Sequence, residues 1–294
     1  MDAITFTVQP GEMVGYIGPN GAGKSTTVKM LTGILYPSSG TVRVAGQDPA
    51  RERVALARRI GVVFGQRRQL WWDLPLRDSF DILRHVYRVP LPRFQRNLAT
   101  FADLLDLGPF LGTPVRQLSL GQVMRGELTA ALLHDPEVVF LDEPTIGLDV
   151  ESKGRALDFL AALNRERGTT VLMTTHDLAD LERLCPRMLI IDQGRLIFDG
   201  PVAQIRECDA ERTLVVDLEA PQPPLAVAGV EEVRAVGRRQ WLRFRRNRVS
   251  AAALIAQVAA VAPIVDLAVE GTPIEEIVRR IYREGMDGLR PAAG

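Results

Sequence analysis

The chain has 294 residues, 36 of them basic and 36 acidic, and 46% of its residues are hydrophobic. That is enough chain for one large core and a smaller appended unit, and the zero net charge gives no global pull toward nucleic acid. Cys185 and Cys208 form no CxxC pair, which indicates neither a disulfide scaffold nor a zinc site and reads as reduced thiols of a cytosolic protein.

The run ITFTV at 4–8 alternates apolar and polar side chains and reads as a strand, followed by the apolar run MVGYI at 13–17. GPNGAGKST at 18–26 comes next, with Gly18, Gly23, Lys24 and Ser25 in the register of a P-loop. A strand ending there and a helix beginning near Ser25 aim free backbone N–H groups and the positive end of a helix dipole at phosphate. Lys24 then supplies a point charge for the β and γ phosphates, and the Ser25 hydroxyl a ligand for Mg²⁺. Lysine is otherwise scarce: only Lys24, Lys29 and Lys153 occur amid abundant arginine. A lysine kept where a compact, rotatable charge is needed therefore carries weight.

TVRVA at 41–45 and IGVVF at 60–64 read as further strands, and from about residue 76 to 133 the pattern turns helical, punctuated by Pro90, Pro92, Pro109 and Pro114. VVFLD at 138–142 and TTVLMTTH at 169–176 are strands with a helix between them, and MLIID at 188–192 is a third such run. The alternation implies parallel strands buried on both faces, with a helical insertion in the middle. Asp142 falls at the carboxyl end of its strand, where open α/β sheets bind ligands, and is placed to hold Mg²⁺ opposite Ser25. Glu143, the next residue, is placed to orient or deprotonate an attacking water. His176 ends a strand before Asp177, whereas His85 and His134 lie in the helical stretch and read as structural.

From about residue 211 a second unit begins. RTLVVDLE, VEEVRAV and WLRFRR read as strands, PQPP as a linker, 250–261 as a helix, IVDLAVE as a strand and PIEEIVRRIYRE as a last helix. The basic run RRQWLRFRRNR has a period of two that places Leu242 and Phe244 on one face and Arg243 and Arg245 on the other, which suits a half-buried strand with a solvated basic face. The most apolar long stretch, 251–269, contains Gln257, Pro263 and Asp266, costly groups in a bilayer, and reads as a buried helix followed by a strand. Any passage through a membrane then belongs to another polypeptide.

With these motifs in order, the chain resembles the ATP-binding subunits of ATP-binding cassette (ABC) transporters over residues 1 to about 205. The resemblance rests on the P-loop, Gln66 of the FGQ segment, LSLGQ at 118–122, VVFLDEP, GLD at 147–149 and His176. It implies an α/β fold: a P-loop NTPase cassette with a mostly parallel sheet and a helical subdomain at about 73–135, plus a small α+β C-terminal domain at 211–285 and a tail at 286–294. It implies that ATP and Mg²⁺ are bound through Gly18, Pro19, Asn20, Gly21, Ala22, Gly23, Lys24, Ser25, Thr26 and Asp149, with Ser25, Gln66 and Asp142 at the metal. Glu143, His176 and Gln66 would be catalytic, Gln66 sensing Mg²⁺ and water and His176 touching the γ-phosphate. Ser119, Gly121 and Gln122 would complete the ATP site of a second ATP-binding subunit, by default an identical copy. The resemblance also implies attachment to the cytoplasmic face of the cell membrane and no nucleic-acid partner.

Departures from the family pattern fall beside the phosphate contacts. Leu120 stands where a second glycine is common, Val123 and Met124 replace a polar or basic pair, and Ile146 occupies a position where serine is common. Seventeen residues precede Gly18, too few for the family's first strand and its adenine-stacking aromatic; the expectation is a start further upstream, the alternative another mode of adenine binding. The segment FGQRRQLWWDLP is similar to a branch paired with ABC-2-type permeases, including viologen-exporter-like systems, which points to export of a drug or other amphiphile. One of the adjacent residues Trp71 and Trp72 is expected to pack inward and the other outward, both being core as the alternative. A soluble ABC-type ATPase of DNA repair or translation is the competing class, as is a weakly hydrolysing regulatory cassette. The former usually carries long heptad insertions, zinc modules or two cassettes, and none of these is visible.

Overall fold

Short β-branched and apolar runs bounded by turn residues set the central sheet of the first unit. The computed structural model describes residues 2–65 and 68–284, and the chain divides into two compact units, 1–202 and 203–294. In chain order the first unit contains β1 (Met13–Ile17), α1 (Lys24–Leu31), α2 (Arg53–Ala57), β2 (Ile60–Phe64), α3 (Leu76–Tyr87), α4 (Leu91–Leu104) and α5 (Leu120–Leu132). It continues with β3 (Val138–Asp142), α6 (Val150–Arg167), β4 (Thr170–Thr174), α7 (Leu178–Leu184), β5 (Arg187–Asp192) and β6 (Arg195–Pro201).

The six strands lie in the order β2-β3-β4-β1-β5-β6, with only β6 antiparallel to its neighbour. Every residue of β1 and β4 is buried, as a parallel sheet covered on both faces requires. Val14, Tyr16, Val28, Leu56, Phe140, Leu172 and Ile191 form one core cluster. The register pairs Phe64 with Asp142 and Asp142 with Thr174, so the carboxyl ends of three strands finish level. Pro75 and Pro90 precede α3 and α4, and an edge-on contact of Phe101 with Phe159, 5.3 Å between ring centroids, packs α4 on α6.

Two expected strands are absent. Segments 4–8 and 41–45 lie outside regular strands, apart from an isolated bridge between Val44 and Gln47. Phe6, Val8 and Val42 still pack on the core, so the alternation marks burial. A ladder also needs a neighbouring strand, and among the described residues no strand pairs with either segment; both segments line a cavity of about 1470 Å³. The tryptophans are also corrected: Trp71 and Trp72 lie in the turn before α3 and remain 39% and 50% exposed, so neither is core. The guanidinium of Arg68 sits 4.5 Å above the Trp72 ring.

α8 (Val202–Cys208) leads into the second unit, made of β7 (Glu211–Leu218), β8 (Val230–Val236), β9 (Arg239–Arg245), α9 (Ala251–Val261), β10 (Ile264–Gly271) and α10 (Ile274–Glu284). Its antiparallel sheet runs β10-β7-β9-β8, and Leu214, Val216, Leu242, Phe244, Leu254 and Val258 form its core. Arg243 lies on the solvated side, 3.2 Å from Glu232. The apolar stretch is a helix and a strand, but not a buried pair: α9 buries Leu254 and Val258, while edge strand β10 exposes Val265, Leu267 and Val269. Among the described residues no helix is long and apolar enough to cross a membrane.

Candidate functional site

Residues from the P-loop and from three strand ends meet at the carboxyl edge of the sheet. β1 delivers 18–23, and Gly23 at φ 109° turns the chain into α1, whose first residues are Lys24 and Ser25. The Lys24 ammonium bonds to the carbonyls of Gly18 at 2.7 Å and Pro19 at 3.2 Å, which holds it inside the loop. Burial lowers its pKa, and the nearby charges of Glu143 and Asp142 oppose that shift. Beneath the loop, Tyr16 is fully buried and its hydroxyl lies 3.0 Å from that of Thr27; burial pushes the phenol up to about 12.

Asp142 is held on both oxygens. Ser25 donates its hydroxyl to Oδ2 at 3.0 Å, and Thr174 donates to Oδ1 at 2.6 Å. Thr174 is a residue that the sequence did not single out, because its role depends on the register of β3 against β4. The next residue, Glu143, sits at φ 58°, a left-handed conformation rare for a side chain of this size, with its N–H bonded to the Thr174 carbonyl at 3.0 Å. The turn aims its carboxylate at His176, whose Nδ1 is 2.7 Å from Glu143 Oε2. His176 is largely exposed and Glu143 mostly covered. The pair of Ser25 hydroxyl and Asp142 carboxylate is the hard-oxygen donor set that Mg²⁺ takes when phosphates complete its shell. No larger group of metal-ligating side chains occurs among the described residues. Gln66 falls outside the described residues.

A second cluster surrounds the start of α5. Ser119 caps that helix through a capping box: its hydroxyl accepts the Gln122 N–H at 3.2 Å, and the Gln122 side chain accepts the Ser119 N–H at 2.9 Å. Gly121 lies against Leu148, Asp149 and Ser152, and Asp149 caps α6 by accepting the Ser152 N–H at 2.9 Å. That bond holds the Asp149 carboxyl below its usual range. Leu120 rests on Gly147, which has φ 70°; a Cβ there would lie 2.1 Å from Leu120 Cδ2, so the close approach and the backbone both call for glycine. Among the described residues no hydrogen bond joins Ser119, Gly121 or Gln122 to the P-loop of the same chain.

Glu127, further along α5, is a buried carboxylate that accepts the N–H groups of Gln69 at 2.9 Å and Leu70 at 3.3 Å. Burial raises its pKa and those bonds oppose the rise. Nothing local in the sequence marks it, since its partners are backbone groups of a distant segment. His134 is structural as expected: buried, stacked 4.0 Å from Tyr87 and 3.0 Å from the Ile60 carbonyl, with its pKa lowered by burial.

Comparison with known proteins adds independent weight. Residues 1–146 match the protein family described as ABC transporter. A Nod factor export ATP-binding protein I of Paraburkholderia xenovorans (strain LB400) is 37% identical over 76% of this chain and 72% of its own. A daunorubicin resistance ATP-binding protein of Streptomyces coeruleorubidus is 36% identical over 78% and 72%. Among solved structures, an ATP binding subunit of an ABC transporter superposes with a TM-score of 0.64 at 29% identity, over 69% of this chain and 84% of that one. A dimeric ATP-binding cassette in a post-hydrolysis state with ADP and Pi superposes with a TM-score of 0.60 at 25% identity, over 67% and 88%.

Proposed function

The chain belongs to the family of ABC transporter ATP-binding proteins, and from that premise we propose a division of labour between its two clusters. It is an ATPase subunit. The cluster at the strand ends binds and cleaves ATP, and the cluster at the start of α5 closes the ATP site of a second subunit.

The backbone N–H groups of the P-loop and the first turn of α1 face the phosphates, and Lys24 swings from the loop carbonyls to the β and γ oxygens. Ser25 and Asp142 would hold Mg²⁺, which when bound neutralises charge developing on the β and γ phosphate oxygens. Glu143 orients the attacking water and accepts its proton as the oxygen bonds to the γ-phosphorus and the bond to the β-phosphate oxygen breaks, releasing ADP. With Nδ1 protonated, His176 donates to Glu143 and fixes the carboxylate in line. The single observation that carries this reading is the convergence of Ser25, Asp142, Glu143 and His176 beside the P-loop.

Ser119 and the N-terminal N–H groups of α5 then meet the γ-phosphate held by the opposing subunit, so ATP joins two chains more strongly than ADP does. The relatives named for Nod factor export and daunorubicin resistance support a role in export, and the reading couples the chain to a separate ABC-2-type permease from the cytoplasmic face of the membrane. A drug or other amphiphile is the exported class. Purified chain and its Glu143→Gln variant, compared for turnover and for ATP-dependent dimers with Mg²⁺, test the reading. Turnover is expected to fall by about 10²–10⁴-fold while dimers accumulate; unchanged turnover sinks the assignment of the base, and recovery only with DNA or ribosomes sinks the transporter.

A further inference from the structure

One ammonium, that of Lys153 in the first turn of α6, joins three segments of the site. It is ion-paired with Asp177, the residue after His176, and lies 2.9 Å from Asp180 Oδ1. The other oxygen of Asp180 accepts the hydroxyl of Thr145 at 3.0 Å, two residues after Glu143. Asp177 caps α7, and the Lys153 N–H bonds to the Asp149 carbonyl at 2.9 Å, so the GLD loop is tied in as well. The loops bearing Glu143, Asp149 and His176 thus converge on a side chain that lies behind them.

Burial makes one side of the arrangement depend on its partners. The Asp180 side chain is 6% exposed and Thr145 is buried, so the Asp180 charge depends on its cation and its hydroxyl donor. Without Lys153 the Asp180 carboxylate loses its cation, and its turning toward water releases Thr145 on one side while Asp177 is freed on the other. Three rotatable donors on a compact head suit two carboxylates approaching from different elements; a planar guanidinium fits them less well.

We propose that Lys153 is a positioning residue that holds the Glu143 and His176 loops in register for hydrolysis. The proposal rests on the hydrolytic reading of those two residues. Lys153→Met is expected to lower kcat by about ten- to a hundredfold with KM for ATP little changed, because displacement of a reacting group by about 1 Å has that effect. Lys153→Arg recovers part of the loss. The chain has three histidines, so the His176 ring resonance can be followed by NMR, and it moves in Lys153→Met with the change in its bond to Glu143. A merely structural lysine would lower the melting temperature and leave kcat of the folded fraction and the His176 resonance unmoved, which overturns the proposal. If Lys153→Met does not fold, Thr145→Val, which removes one hydroxyl, decides by the same two readouts. If the wild-type chain itself turns over no ATP, the hydrolytic reading fails, and an unmoved His176 resonance then overturns the positioning role separately.

Discussion

The strand-end cluster and the α5 cluster are built on opposite principles. At the strand ends polar groups are aimed at one another: Asp142 has a donor on each oxygen and Glu143 is turned by a left-handed backbone toward His176. Around Ser119 the polar groups are consumed by helix caps, and the contact that joins the motif to the GLD loop is apolar, Leu120 on Gly147. In the reading proposed above, the first cluster is the one that carries chemistry. The second is a capped edge, with Leu120, Ile146 and Val150 exposed beside it.

The contrast predicts that substitutions in the first cluster act on turnover and those in the second on stability or association. After Glu143→Gln, Lys24→Met should have the largest effect, a loss of turnover on the order of 10²–10³-fold at saturating ATP with the folding midpoint retained, as for removal of one preorganised charge donor. Gly147→Ala forces a Cβ into Leu120 at positive φ and should cost about 1–3 kcal/mol in urea unfolding. Adding Leu120→Gly should return part of that cost, since the two changes share a contact. Ser119→Ala removes the cap of α5 and should cost about 1 kcal/mol while the strand-end hydrogen bonds persist, seen as an unchanged His176 resonance.

The smallest effect is in pH. The hydrogen bond from Lys153 holds the Asp177 carboxyl below the ordinary value of 3.8. The unfolded chain therefore binds the proton more readily, and the stability contributed by the ionised form is present above 3.8 and lost as pH falls through the folded value. Melting temperature measured from about pH 5 downward should show this acid limb, and Lys153→Met should flatten it.

How far the sequence could be read depended on whether a feature is local. MVGYI and VVFLD carry their strand signal and their site residues in a few consecutive positions, so β1, β3, Lys24, Ser25, Asp142 and Glu143 were legible. Thr174 was not, because only the pairing of Asp142 with Thr174 across β3 and β4 gives it a role. Segments 4–8 and 41–45 have the alternation of strands, but pairing is a property of neighbours, and alternation marks only which side chains turn inward. Lys153 was conspicuous as a rare lysine while its partners, 24 and 27 residues away, were not.

The buried carboxylate of Glu127 has a mechanical consequence. It fastens the middle of α5 to the N–H groups of Gln69 and Leu70, the stretch that carries the exposed Trp71 and Trp72 onward. Ser119 caps the N-terminus of the same helix, about 12 Å away at 1.5 Å of rise per residue. A push on the 69–72 stretch that tilts the helix about Glu127 by about 5° swings Ser119 through about 1 Å, a third of a hydrogen-bond length. The 69–72 stretch and the Ser119 cap are thus fastened to one helix that is buried along most of its length, so neither can be displaced without straining the packing of α5.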